Sequence, residues 1–215
     1  MREEFRSDLI EIGRLLVSMA EAVRSAMSHA TDSLLNADRA AAELVVARDA
    51  EVDALYRQVE EKIHEVLARQ APVAGDLRMV VSAMHIAADI ERMGDLAEHV
   101  ARTALRRHPA PVVPQELVGV LRQMGNVADR LAAEMTMVLT SPNADRAADL
   151  ETADDAMDTL HRQLFQALLG PGWPHGVEAA VDAALLGRYY ERYADHAVNS
   201  GRHIVYLITG EHASS

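Results

Sequence analysis

The chain has 215 residues, of which 49% are hydrophobic and 25% charged, so it is large enough to bury a packed core. Its formal net charge of -12 argues against a nucleic-acid binder, because neutralising phosphates requires clustered lysine and arginine. The absence of cysteine excludes disulfides and thiolate metal sites, which leaves oxygen and imidazole as metal ligands. No apolar leader or membrane-spanning run is evident, so we expect a cytoplasmic protein without direct membrane insertion.

Long segments of helical periodicity alternate with connections that contain proline. All seven prolines fall between these segments, and proline interrupts a helix because it lacks a backbone donor and clashes with the preceding turn. The pattern favours an all-α chain without strands. The predicted helices are residues 4–36, 39–70, 75–107, 115–140, 145–169 and 176–209. Residues 108–114, which include three prolines, predict a stiff linker at the midpoint.

The second half of the chain repeats the first. Residues 89–95 and 189–195 share the pattern Glu-Arg-x-x-Asp at a separation of 100 residues, and residues 49–58 resemble 154–163 at a separation of 105. Asn36-Ala37-Asp38 also resembles Asn143-Ala144-Asp145. The repeat predicts two tandem, pseudo-symmetric three-helix bundles, residues 1–108 and 109–215.

Each repeat carries paired carboxylates on its second and third helices. On the third helix of the first repeat, Glu91, Asp95 and Glu98 fall opposite an apolar seam, so we expect them near the surface. The residues of that seam are Met79, Ala83, Ile86, Ile90, Met93, Ala97, Val100 and Ala104. If the second and third helices form an antiparallel hairpin, Asp49 and Asp53 lie level with the other carboxylates. Such a cluster, with no lysine nearby in the sequence, calls for a compensating cation.

A simpler interpretation is that these carboxylates belong to ordinary solvated helix faces of an acidic protein. The duplication argues against it, because like charges four residues apart mildly destabilise a helix and would not be repeated for stability. Glu61 and His64 have the Glu-x-x-His spacing of di-iron bundles, but Glu61 falls nearly opposite the core stripe and residues 166–169 lack both ligands. His99 and His196 adjoin the acidic motifs as candidate accessory ligands. No catalytic motif is found, so we do not expect an enzyme.

Residues 72–78, 89–98 and 191–199, together with the tandem three-helix repeats, resemble the PhoU family of phosphate-signalling regulators over essentially the whole chain. The resemblance implies a negative regulator of phosphate uptake and of the phosphate-starvation response. It would link the phosphate ABC transporter ATPase to a sensor histidine kinase, as a cytoplasmic protein peripherally associated with membrane complexes. It also implies dimers and surface-bound multinuclear clusters of iron or zinc.

Carried over to this chain, the implied metal ligands form two sets, one in each repeat. The first set is Asp49, Asp53, Glu91 and Asp95, with Glu98 as an extra ligand, and the second is Asp154, Asp158, Glu191 and Asp195. The sets are not equivalent, because Val198 stands where the first repeat has Glu98. Two other hypotheses remain: a helical-bundle metal-storage or di-iron protein, and a purely structural dimerisation module.

Overall fold

The computed structural model describes residues 2–211, and within that range all regular secondary structure is helical, without strands. Six helices follow one another: α1 Arg2–Asn36, α2 Arg39–Gln70, α3 Gly75–Arg107, α4 Gln115–Thr140, α5 Ala144–Leu168 and α6 Gly176–Thr209. The predicted helices are confirmed, with boundaries that differ by at most two residues. None of the helices in this range has the length and apolarity needed to cross a membrane.

The second helix of each half begins at a side-chain cap. Asp38 accepts a hydrogen bond from the backbone N–H of Ala41, and Asn143 accepts one from that of Arg146. These caps satisfy backbone donors that have no partner inside the helix. Asp38 and Asn143 are therefore equivalent positions, 105 residues apart, and the sequence match that paired Asn36 with Asn143 is out of register.

The six helices form two three-helix bundles that pack against each other. Within each half, every helix contacts the other two. Between the halves, α1 packs on α4 and α3 packs on α6, whereas α2 and α5 contact only helices of their own half among the described residues. The central four helices thus form the interface, with α2 and α5 on the outside. Exchanging the halves reproduces the same set of contacts, which is the pseudo-symmetry expected from the repeat.

Contacts across the interface place the pseudo-two-fold axis between α1 and α4, near Arg24 and Asp129. Arg24 and Asp129, which lie 105 residues apart, occupy equivalent positions in α1 and α4 and form a bidentate ion pair. The Tyr190 hydroxyl lies 2.8 Å from the hydroxyl of Thr31, and the Tyr193 hydroxyl donates to the carbonyl oxygen of Val23. Both tyrosines are buried, so their hydroxyl groups need these partners.

One hydrophobic core runs through both halves. The predicted α3 seam is buried in it, apart from Met79, which is half-buried. Val112 and Val113 also belong to the core, with exposures of only 7% and 6%. The midpoint connection therefore packs against the bundles, in addition to spacing them apart.

Candidate metal centre

The α2–α3 hairpin brings five carboxylates together, as the sequence predicts. The connection between the two helices spans only residues 71–74, so α2 and α3 pack side by side in opposite directions. Asp49 interacts electrostatically with Asp53, Asp95 and Glu98, and Glu91 interacts with Asp49, Asp53 and Asp95. We call Asp49, Asp53, Glu91, Asp95 and Glu98 the first acidic patch.

The first acidic patch is more deeply placed than its sequence pattern indicates. The side chains of Glu91 and Glu98 are only 23% and 15% exposed. The cause is Gly94, which lets α2 approach α3 closely: a Cβ at this position would lie 3.2 Å from a Val52 methyl and 3.5 Å from the Asp49 carboxylate. The patch therefore lies near the surface, as expected, but is half-buried.

Burial and mutual repulsion change the acidity of these groups. Burial, together with the nearby charges of Glu98, Asp53 and Asp95, raises the pKa of Asp49 to about 6. The pKa of Glu91 is also raised, first by burial and then by Asp95. A bound cation would favour the ionised carboxylates and relieve both effects.

Arginines, one of them from the Glu-Arg-x-x-Asp motif itself, partly compensate the first acidic patch. Arg92 lies 2.7 Å from Asp95 and 3.6 Å from Glu91, and Arg102 lies 2.6 Å from Glu98. Both arginine side chains are more than half exposed. Solvent-exposed pairs of this kind contribute little and exchange readily, so the arginines leave the carboxylates available to another cation.

The α5–α6 hairpin places Asp154, Asp158, Glu191 and Asp195 in a second acidic patch. Burial raises the pKa of Asp154 to about 6, with contributions from Asp195, Asp158, Asp155 and Glu191. Burial and Glu191 also raise the pKa of Asp195. Asp155 was not in the predicted set. Its position in the sequence, next to Asp154 on a helix, gave a signal that the repeat comparison overlooked, because Ala50 stands at the matching position of the first half.

The second acidic patch also has arginine neighbours and an adjoining cavity. Arg188 forms an ion pair with Glu191. A cavity of about 290 Å³ opens beside Asp154 and Asp195 and is lined in addition by His196 and Arg202. The two patches thus share their helix positions but differ in their surroundings.

A polar cluster around the buried Asp89 links the two motif helices. Because a carboxylate only accepts hydrogen bonds, His196 donates from Nδ1 to Asp89 at 2.9 Å, and the Asn199 amide donates to the other carboxylate oxygen at 2.9 Å. His203 Nε2 lies 3.7 Å from the same carboxylate, and the His203 ring stacks on His85. His196 was predicted as an accessory metal ligand, yet its Nδ1 serves this contact between α3 and α6.

Sequence reasoning assigned no role to Asp89. A signal was present, since Asp89 continues the spacing of Ser82, Ile86 and Met93, all of which are buried on the face of α3 that meets the other helices. A carboxylate on an apolar stripe requires a polar partner. Its partners come from a helix more than 100 residues away.

The donor chemistry of both patches suits a cation that prefers oxygen ligands, because half-buried carboxylates with a raised pKa gain from a bound positive charge. In residues 2–211, however, no three histidine or acidic side chains converge closely enough to hold a single ion as they stand. Binding would therefore require rotation of the carboxylates and release of their arginine partners. Glu61 and His64, the candidate di-iron pair, are both exposed on α2.

Comparison with known proteins agrees with this architecture. The family model described as PhoU domain matches residues 16–104 and 121–204, one copy in each half. The chain is 45% identical over 210 residues to a protein from Mycobacterium tuberculosis named phosphate-specific transport system accessory protein PhoU homolog 2, which covers 98% of this chain and 99% of that protein. A Mycobacterium leprae relative, PhoU homolog 1, is also 45% identical, over 98% of this chain and 95% of its own length.

Solved structures of similar proteins have the same fold. The crystal structure of PhoU from Pseudomonas aeruginosa superposes with a TM-score of 0.90 at 26% identity, over 96% of this chain and all of that one. The phosphate transport system regulatory protein PhoU from Streptococcus pneumoniae gives a TM-score of 0.87 at 24% identity, over 98% and 100% of the respective chains. The chain belongs to the PhoU family.

Proposed function

We propose that this protein is a regulator of phosphate homeostasis that represses phosphate uptake and the phosphate-starvation response. The observation that carries the proposal is the pair of acidic patches at equivalent positions of a PhoU-family chain, the first half-buried and the second more exposed. Relatives 45% identical over nearly the whole chain are named accessory proteins of phosphate-specific transport. The described residues offer no separate constellation of nucleophile, base and oxyanion donors that would point to catalysis.

The regulatory role requires contact with other proteins. We propose that the chain acts in the cytoplasm, at the periphery of membrane complexes, where it joins the ATPase of a phosphate ABC transporter to a sensor histidine kinase. A net charge of -12 favours basic partner surfaces and predicts association that weakens as salt increases. We also propose that the protein forms homodimers.

The acidic patches are proposed to bind iron or zinc. Asp49, Asp53, Glu91, Asp95 and Glu98 would hold metal in the first half, and Asp154, Asp158, Glu191 and Asp195 in the second. Bound metal would supply positive charge that stabilises the ionised carboxylates. The protein contributes closely spaced oxygen donors, partial exclusion of water and exposed arginines that can be displaced.

The metal proposal is tested on protein stripped with a chelator and titrated separately with iron and zinc. The variant Glu91→Ala/Asp95→Ala should lose binding in the first half and Glu191→Ala/Asp195→Ala in the second, as measured by elemental analysis after desalting. A matched control, Glu61→Ala/Asp149→Ala, removes the same charge from exposed positions outside the patches. Equal metal content in all three variants would refute the assignment.

The regulatory proposal has an independent test in cells. Deleting the gene for this chain should raise expression of a reporter for phosphate-starvation genes in phosphate-rich medium, and restoring the gene should repress it again. The patch variants should then show whether repression depends on the carboxylates. Normal repression in the deletion strain, together with many iron atoms per purified chain, would instead favour metal storage.

A further inference from the structure

A polar cavity of about 450 Å³ opens between α1 and α4. Its α4 wall carries Arg122, Asn126 and Arg130, which are spaced four residues apart and therefore lie on one face of the helix. We call these three residues the arginine stripe, and all three are exposed. Ser28 and Asp32 belong to the α1 wall. The cavity shares no residue with either acidic patch, and it has two guanidinium groups in its lining although the chain has a net charge of -12.

Neither arginine of the stripe is neutralised within the protein. The guanidinium groups of Arg122 and Arg130 have no hydrogen-bond or ion-pair partner in the part of the chain that the structure describes. Asp129 also lines the cavity, but Arg24 holds its carboxylate in a bidentate ion pair. Among the described residues, Asp32 is then the only carboxylate of the cavity that lacks a cationic partner. The two guanidinium groups are therefore available to an anion, with one unpaired charge opposing it.

The repeat shows that packing of α1 against α4 does not need the arginine stripe. The separation of 105 residues that relates Arg24 to Asp129 relates the stripe to Val17, Glu21 and Ser25 of α1. On that side of the pseudo-two-fold axis, the same two helices pack without an arginine at these positions and with a carboxylate at the middle one. Two exposed cations that packing does not need, and that no described residue neutralises, favour the binding of an anion.

A second cavity, of about 650 Å³, adjoins the first across α4 and lies between α4 and α5. The two cavities share Asn126 and Arg130 in their walls, so Arg130 can reach into either. The α5 wall presents Thr152, Asp155 and Thr159, whereas the first half of the chain has alanine 105 residues earlier at all three positions. The second half thus carries hydroxyl and carboxylate groups beside the arginine stripe where the first half has none.

We propose that the two cavities together bind a small phosphorylated metabolite with a hydroxyl-rich body, such as a nucleotide or a sugar phosphate. A planar guanidinium group donates paired, charge-assisted hydrogen bonds to phosphoryl oxygens. Arg122 and Arg130 are about 12 Å apart along the helix axis, which leaves room for one or more phosphoryl groups between them. The polar groups of α5 pair with hydroxyl groups of the ligand body, and Asp155 accepts hydrogen bonds from them. Both volumes lie in the range of about 300–1,000 Å³ that is usual for small-molecule sites.

Isothermal titration calorimetry of the full-length protein with ATP, glucose 6-phosphate and inorganic phosphate tests this site. A chelator is present throughout, so that no metal ion links a ligand to the acidic patches. We expect saturable binding with a Kd below about 1 mM that weakens as salt increases. One of the two metabolites should bind more tightly than inorganic phosphate, and that metabolite identifies the ligand body. Adenosine, which lacks the phosphoryl groups, should bind at least about tenfold more weakly than ATP.

Three variants locate the binding. Arg122→Gln/Arg130→Gln removes both guanidinium groups of the stripe and should weaken binding by at least about tenfold. Arg6→Gln/Arg14→Gln is the matched control, because it removes two exposed arginines with the same eight-residue spacing near the start of α1, and it should leave binding unchanged. Asp32→Asn removes the unpaired carboxylate and should tighten binding about two- to fivefold. All five positions are exposed, so each variant should keep the melting temperature of the wild type within a few degrees.

Several outcomes would overturn the proposal. The absence of saturable binding of all three phosphorylated ligands up to about 10 mM would do so. Equal weakening in the two double variants would show attraction to positive charge in general, and weaker binding in Asp32→Asn would place the ligand elsewhere. Inorganic phosphate that binds as tightly as both metabolites would refute the role of the cavity between α4 and α5.

Discussion

Replacing Asp49 with asparagine tests whether the first acidic patch is strained by its own charge. Burial beside Gly94 and the neighbouring carboxylates raises the pKa of Asp49 to about 6. In the unfolded chain this group has its ordinary pKa of 3.8. The folded state therefore binds the proton more tightly, and ionised Asp49 destabilises the fold above about pH 6. Asparagine, which is nearly isosteric and neutral, removes that penalty.

The size of the effect follows from the rise in pKa. A rise from 3.8 to about 6 would correspond to about 3 kcal/mol in full. The carboxylate remains partly accessible to water, which screens the interaction, so we expect about 1 kcal/mol. Asp49→Asn should thus raise the free energy of unfolding by about 1 kcal/mol at about pH 7.5. Most of the gain should be lost by about pH 4.5, where native Asp49 is protonated, and the rest below about pH 3.8, where Asp49 is protonated in the unfolded chain as well.

Urea unfolding followed by circular dichroism, in the presence of a chelator, measures this difference at both pH values. Asp149→Asn, at an exposed position of α5, is the control for removal of one negative charge. An Asp49→Asn protein that is less stable than the wild type at about pH 7.5, or equally stabilised at both pH values, would show that Asp49 is not held in a repulsive, half-buried environment.

Three further predictions concern the patch, the polar cluster and the helix packing. Without metal, Glu91→Ala/Asp95→Ala should change the free energy of unfolding by less than about 0.5 kcal/mol, because the repulsion that is lost offsets the loss of the exposed arginine contacts. Calorimetry without zinc measures this change, and calorimetry with zinc measures the expected loss of zinc affinity. Asp89→Ala should cost about 1–3 kcal/mol in urea unfolding, since it removes the carboxylate partner of the part-buried donors on His196 and Asn199. Gly201→Ala should lower the melting temperature, because its Cβ would lie 2.8 Å from the carbonyl oxygen of Ala147, a backbone atom that cannot easily move.

The helices could be predicted from the sequence because their boundaries depend on local chemistry. Prolines mark the connections, and Asp38 and Asn143 provide side-chain caps at the starts of α2 and α5. The association of α2 with α3 was also predictable, since the short connection at residues 71–74 leaves an antiparallel hairpin as the simple arrangement. These features allowed the residues of the first acidic patch to be predicted from the sequence.

The packing of the two halves could not be predicted in the same way. It depends on contacts between residues far apart in the sequence, such as Arg24 with Asp129 and Asp89 with His196. The linker fixes neither the angle nor the faces that meet. Burial of the patch likewise depends on how closely α2 approaches α3 at Gly94, which periodicity alone does not specify.

The acidic patches stand out against features that agree with the fold: the side-chain caps of α2 and α5, the apolar stripes and the hydroxyl partners of Tyr190 and Tyr193. Asp49 and Asp154 are exceptions at equivalent positions, each with its pKa raised to about 6 by burial and like charge. Asparagine would fit either site without that penalty. Proteins retain such locally unfavourable groups mainly where function needs them. The duplication of the same unfavourable choice in both halves therefore supports a role in binding cations.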